Sequence, residues 1–280
     1  MIGNSLFLAL LLLLSMTVTY SLTPRYITLL QQGDRGLTGI NYEGNMIVNA
    51  GGIVLLPAVL LSIYYYFHAT GTIYGTMIFL VFLAGMVVLG LVDDLQGDKG
   101  CKGFRGHMGL LWREKKVSTG LLKAAGGFTL AMLVAAASGV TSITEWLAKG
   151  IFLALFANLF NLLDTRPAMA IKAFYLISLV LMLFGMGNLI FLILWVSLYV
   201  YLPWELSHKI MLGDTGAYLL GGTLGFFALT SFSTPLLYSV LIPLLLLHIF
   251  MEKYSVSKIL EGGSLPLFWR YGSLLKRKGG

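Results

Sequence analysis

A single cysteine, Cys101, leaves the chain without a disulfide framework and without a cysteine-built metal site. Charge is scarce as well. Asp, Glu, Lys and Arg make up 11% of the 280 residues against 58% hydrophobic, at a mean hydropathy of +0.85. That balance excludes an ordinary water-soluble domain and points to a polytopic membrane protein. The first apolar run, residues 2–22, has no basic residue before it and no small-x-small pattern after it, so a retained span is expected rather than a cleaved signal. Acidic residues are the scarcer sign, 12 against 19 Lys and Arg, for a formal net charge of +7. An excess of this sign would suit a nucleic-acid partner, but in a membrane chain it normally marks cytoplasmic loops facing anionic lipid.

The distribution of charge decides between the two. Further apolar stretches of about 17–22 residues, long enough to cross a bilayer core, lie near 47–67, 73–92, 118–138, 150–165, 169–187, 188–204, 211–231 and 233–251. The expectation is an all-α bundle of about 9–10 transmembrane helices, forming one domain over residues 1–280 with a cleft on its cytoplasmic face. With the N-terminus outside, the loops at 23–46, 93–117, 164–170 and 204–210 and the tail after 251 fall inside. Lys149 and Glu145 are then the charged residues left outside. This asymmetry satisfies the positive-inside rule, and no nucleic acid is needed to explain it.

The stretch with most chemistry runs from Leu89 to Lys123, where an apolar helix ends on adjacent carboxylates, Asp93 and Asp94. A membrane carboxylate needs a partner, hydration or a cation. Neighbouring helical residues point about 100° apart, so either one aspartate looks into a cavity while the other supports it, or the helix unwinds there. Simple termination at the water is the plain alternative. Lys123 lies about one turn inside the fourth span, on the face of Thr119; snorkelling to the interface is its plain alternative. In the fifth span Asn158, Asn161 and Asp164 recur every third residue on one arc, suited to a polar ring or ribose or to interhelical hydrogen bonds. Pro167 follows, with Arg166 and Lys172 beside it. In the eighth span Asp214 sits at the inner end, and Gly213, Ala217, Gly221 and Gly225 form a close-packing stripe. Asn41 and Asn49 precede the Gly51-Gly52 pair at the start of the second span.

These residues, in this order on one membrane face, resemble the polyprenyl-phosphate N-acetylhexosamine-1-phosphate transferases. That family includes the phospho-MurNAc-pentapeptide translocase and the enzymes that start teichoic acid and surface polysaccharides. The resemblance is carried by Asn41-Tyr42-Glu43-Gly44 with Gly51-Gly52, Gly90 through Asp93-Asp94, Thr119-Gly120 with Lys123, Asn158 through Asp164, and Gly213-Asp214-Thr215-Gly216. It implies transfer of a sugar 1-phosphate from a UDP-N-acetylhexosamine-type donor to undecaprenyl (polyprenyl) phosphate at the cytoplasmic face of the cell membrane, releasing UMP, with magnesium required. On that reaction Asp94 and Asp214 are expected at the magnesium site. Asp93 is expected either to take a proton from the lipid phosphate or to attack the pyrophosphate. Lys123 is expected to face a phosphate, Asn41, Asn158, Asn161 and Asp164 to bind substrate, and Arg166 to bind the anionic part of the UDP-sugar.

Two departures from the family pattern stand out. Pro167 occupies the position of a second aspartate, and the tail after the last histidine, His248, has no histidine motif. The residues leave two alternatives: a membrane protein that binds lipid phosphate without turnover, and an ion-coupled transporter, which would place carboxylates near the bilayer midplane and often show an inverted repeat. The topology has a native reporter in Cys101. An impermeant maleimide is expected to label it only after the membrane is opened, and labelling in sealed right-side-out cells would invert the assignment.

Overall fold

The computed structural model describes residues 2–32, 36–40, 44, 46–96, 115, 118–185 and 190–253. Cys101, Asn41 and the tail after 253 lie outside them. Among the described residues there are nine α-helices: α1 (Ile2–Gln31), α2 (Leu56–Thr70), α3 (Ile73–Gln96), α4 (Thr119–Ala137), α5 (Ile143–Leu163), α6 (Met169–Leu183), α7 (Ile190–Leu206), α8 (Gly213–Ser231) and α9 (Thr234–Lys253). A short hairpin pairs β1 (Thr38–Ile40) with β2 (Met46–Val48), and a 3-10 turn, Gly51–Leu55, leads into α2. Six helical stretches are long and apolar enough to cross a membrane. The protein is an all-α polytopic membrane bundle.

The bundle is organised around α8. From Thr215 to Leu229 every residue of this helix is buried, the signature of a helix enclosed by protein on all sides. It packs most extensively on α5 and α3 and also touches α6 and the 3-10 turn, while α4 joins α3 to α5, α9 covers α5, and α7 packs against α1 and α2. The small-residue stripe explains how α8 fits. A Cβ on Gly221 would stand 2.6 Å from the Ala157 carbonyl oxygen, and one on Gly225 would stand 3.1 Å from Leu153 Cδ1, so α5 lies directly on that stripe. Gly222 faces the other way, toward Leu83 and Phe82 of α3.

Several boundaries differ from the sequence expectation, each for a packing reason. The helix of the first span continues past residue 22 to Gln31, through Pro24, because Ile27 and Leu30 are buried in the main core and the Tyr26 hydroxyl donates to the Ala50 carbonyl. The span expected from residue 47 starts only at the 3-10 turn, since Met46–Val48 is committed to the hairpin. The fifth span starts at Ile143, where Ser142 Oγ accepts from the Glu145 amide and Glu145 pairs with Lys149 at 2.8 Å one turn on. The two charges assigned to an outer loop are therefore helical. α6 and α7 are shorter than a full span, 15 and 17 residues.

One end of the bundle is drawn together by backbone contacts. Val48 and Ile210 form a parallel bridge; the Met211 amide donates to the Val48 carbonyl at 2.8 Å, and the Gly51 and Gly52 amides donate to Met211 and Leu212 carbonyls at 2.8 and 3.0 Å. A side chain at Gly52 would collide with the Gly216 backbone, and a Cβ at Gly90 would lie 2.7 Å from the backbone of Asp214 and Thr215. Backbone cannot yield as a flexible side-chain tip can, so Gly90→Ala is expected to cost about 1–3 kcal/mol through overpacking. Gly75→Ala, whose Cβ would meet only side-chain tips at 3.5 Å, should be near neutral. Thermal unfolding of the two detergent-solubilised variants checks this; equal midpoints would show that the α3–α8 crossing tolerates a methyl group.

Candidate active site at the start of the central helix

A helix begins with backbone N–H groups that have no partner within the helix. At the partly buried start of α8 those groups are met by carboxylates from other helices. The Asp214 amide donates to Asp94 Oδ1 at 2.9 Å, and the Thr215 amide and hydroxyl donate to Asp94 Oδ2 at 2.9 and 2.6 Å. Asp94, on α3, thus caps α8 from outside the helix. The Gly213 amide is directed at the carboxylate of Asp164, which terminates α5. Gly213 itself is left-handed, φ +68°, and a Cβ there would stand 2.8 Å from both Asp94 oxygens. Only glycine lets the carboxylate approach so closely.

Asp93 points elsewhere, as adjacent helical positions must. The helix does not unwind: α3 runs unbroken to Gln96, with Asp94 turned to α8 and Asp93 turned to α4. Lys123 Nζ donates to Asp93 Oδ2 at 2.7 Å and also pairs with Asp214 Oδ2. The Thr119 hydroxyl, one turn before Lys123, bonds Asp93 as well. The Lys123 side chain is only 13% exposed, so it is held between carboxylates rather than extended to the interface. Its ammonium also lies 5.6 Å from the Tyr218 ring centroid, a cation–π distance. The result is one cation shared by two carboxylates from α3 and α8, a few residues from one end of the bundle.

Of the residues expected at the site, Asp93, Asp94, Lys123 and Asp214 are brought together directly, and Asp164 is joined to them through Gly213. Asn158 and Asn161 are partly buried on α5, and Arg166 is partly buried in the turn between α5 and α6. The Asn49 backbone amide donates to the Leu37 carbonyl, and its side chain lies against Gly39. The expectation for Asn41 falls outside the described residues.

Four residues at this end of the bundle were given no role from the sequence. Thr215 and Tyr218 carry a local signal, being the residue after Asp214 and the residue one turn on along its face. Glu205 does not, because 204–210 reads as a loop whereas α7 runs to Leu206, and Tyr201 reads as one more aromatic residue of an apolar span; both are fully buried. Among the described residues no group of three or more His, Cys, Asp or Glu is arranged to hold a metal ion by itself.

Comparison with known proteins found no family model that matches the chain and no curated protein that matches it.

The two aspartates should separate on substitution. In Asp94→Asn the amide NH2 must face one of the donors at the start of α8, which leaves a buried donor unsatisfied at about 1–3 kcal/mol. Asp93→Asn retains an acceptor for Lys123 and should cost less stability. Thermal midpoints of the purified variants test this, and a larger loss for Asp93→Asn would contradict the capping role.

Proposed function

We propose that the protein is a membrane phosphoglycosyl transferase. On this reading it moves a sugar 1-phosphate from a UDP-N-acetylhexosamine-type donor to polyprenyl phosphate, at the cytoplasmic face of the cell membrane. The observation that carries the reading is the Asp93–Lys123–Asp214 arrangement at one end of the bundle. Phosphoryl transfer needs positioning and neutralisation of negative charge more than covalent chemistry. A lysine beside paired carboxylates offers both a phosphate contact and a seat for a hard cation. The location also argues against an ion-coupled transporter, whose carboxylates belong near the midplane.

The donor set fits magnesium. This ion takes one or two carboxylates and completes its shell with water and phosphate oxygens, so a site of fewer than three protein ligands is what the chemistry requires. Asp93 and Asp214, already close enough to share one ammonium, would hold it. Asp94 is committed to the amides of α8 and is better read as the residue that fixes Asp214 in place than as a ligand. When bound, the ion supplies neutralisation of the charge on the transferring phosphate.

In the transfer, an oxygen of the acceptor phosphate attacks the sugar-bearing phosphorus of the UDP-sugar; the bond from that phosphorus to the bridging oxygen breaks, and UMP leaves. Lys123 turns from its carboxylates to a phosphate. Asp93 takes a proton from the acceptor or serves as a first nucleophile. Asn161 and Asp164 lie on the nucleotide side, and Arg166 contacts the anionic part of the donor. Arg166 lies between Asp164 and Pro167, the residue that stands where the resembled family carries a second aspartate, and its guanidinium favours a bidentate contact with phosphate or a sugar carboxylate.

Purified protein supplied with magnesium, undecaprenyl phosphate and a panel of UDP-N-acetylhexosamines is expected to release UMP, and to stop when magnesium is chelated. Asp93→Asn, Asp214→Asn and Lys123→Met should each lower turnover by about 100-fold or more, the scale seen when a transition-state charge contact is removed. Near-normal release from all three would return these residues to holding helices together.

A further inference from the structure

Glu205 is an unusual residue to find where it is. It belongs to the last turn of α7, is fully buried, and sits one turn after Tyr201, which is also fully buried. Its Oε1 accepts the Ala168 amide at 2.8 Å, and the Leu212 amide faces the same carboxylate. The Tyr201 hydroxyl, one turn back, is directed at the same carboxylate, although neither it nor Oε2 makes a hydrogen bond of good geometry. A fully buried carboxylate is costly to desolvate, and an apolar residue of similar volume is often as good for stability. The position is explained by what Glu205 connects. Ala168 is a non-glycine residue in the left-handed region, φ +66°, directly after Pro167. The chain enters α6 in that unfavourable conformation with no side-chain cap of its own, and the Glu205 carboxylate accepts the amide exposed there. Leu212, on the opposite side, immediately precedes Gly213 and Asp214.

We infer that Glu205 is a positioning residue, which ties the 164–168 turn carrying Asp164 and Arg166 to the segment that leads into Asp214. The inference rests on the transferase reading, in which that turn holds the nucleotide-sugar. Glu205 touches no substrate; it acts through Ala168 and Leu212. A glutamine keeps an acceptor oxygen for the Ala168 amide, whereas a leucine keeps volume and loses the acceptor.

Two measurements on the full-length protein separate the inference from the reading beneath it. Hydrogen–deuterium exchange is expected to rise at least tenfold in peptides covering Ala168 in Glu205→Leu, and to stay within about twofold of wild type in Glu205→Gln. Steady-state assays use undecaprenyl phosphate and whichever of UDP-N-acetylglucosamine and UDP-N-acetylgalactosamine the wild type turns over faster. Glu205→Leu should raise the KM for the UDP-sugar about tenfold, with the KM for the lipid phosphate unchanged and Glu205→Gln near wild type. A fall in kcat in proportion to folded protein, with both KM values unchanged, would reduce Glu205 to a structural role and overturn the inference. Wild-type protein that releases no UMP overturns the transferase reading, while the exchange result still decides whether the tie exists. Should Glu205→Leu not fold, Glu205→Asp withdraws the acceptor from Ala168 while keeping the charge. The same exchange increase and KM split are then expected, and their absence is equally decisive against the inference.

Discussion

The amides at the start of α8 are the constraint on which this end of the molecule depends. A helix terminus largely covered by protein has little water from which to take its hydrogen bonds, and an unmet buried amide is costly. The chain meets the demand with Asp94 from α3 and Asp164 from the end of α5, and Glu205 of α7 faces the Leu212 amide just before them. Carboxylates suit this place for a second reason, since the positive end of the helix dipole favours negative charge. One solution to one local problem therefore joins four helices, and it places Asp214 in the second position of a helix whose start is held from several sides.

Lys123 then follows as the counter-charge. Crowding Asp93 and Asp214 together without a cation would be unfavourable, and the ammonium supplied from the first turns of α4 resolves it. The arrangement also separates the duties of the neighbouring aspartates. Helical geometry turns them about 100° apart, so one serves the helix cap and the other the ion pair. Charged groups placed this way are held on helices rather than on loops, which keeps the geometry tight.

Much of the architecture was legible because membrane spans announce themselves by length and hydropathy. The apolar runs became helices, the α8 stripe became its contact with α5, and Asp93, Asp94, Lys123 and Asp214 came together. What escaped was set by partners distant in sequence. Nothing near Pro24 says that the helix continues to Gln31; burial of Ile27 and Leu30 in the core decides it. The hairpin at 38–48 is too short to show a period, and it exists beside the 209–212 segment that bonds Val48. Glu205 reads as one more charge in an inner loop until α7 is seen to carry it into the interior. Which aspartate caps and which pairs with lysine is likewise invisible in Asp93-Asp94, because it depends on where α4 and α8 stand.

The backbone crossings at Gly52 and Gly90 limit how this protein can change over time. Where one main chain rests on another, no residue larger than glycine fits without moving a helix, so the floor of the site is closed to gradual remodelling. Variation at this end of the molecule must enter from the surrounding segments, such as the turn around Arg166 and Pro167. A lineage built on this scaffold would diverge in its loops while its centre stayed nearly fixed.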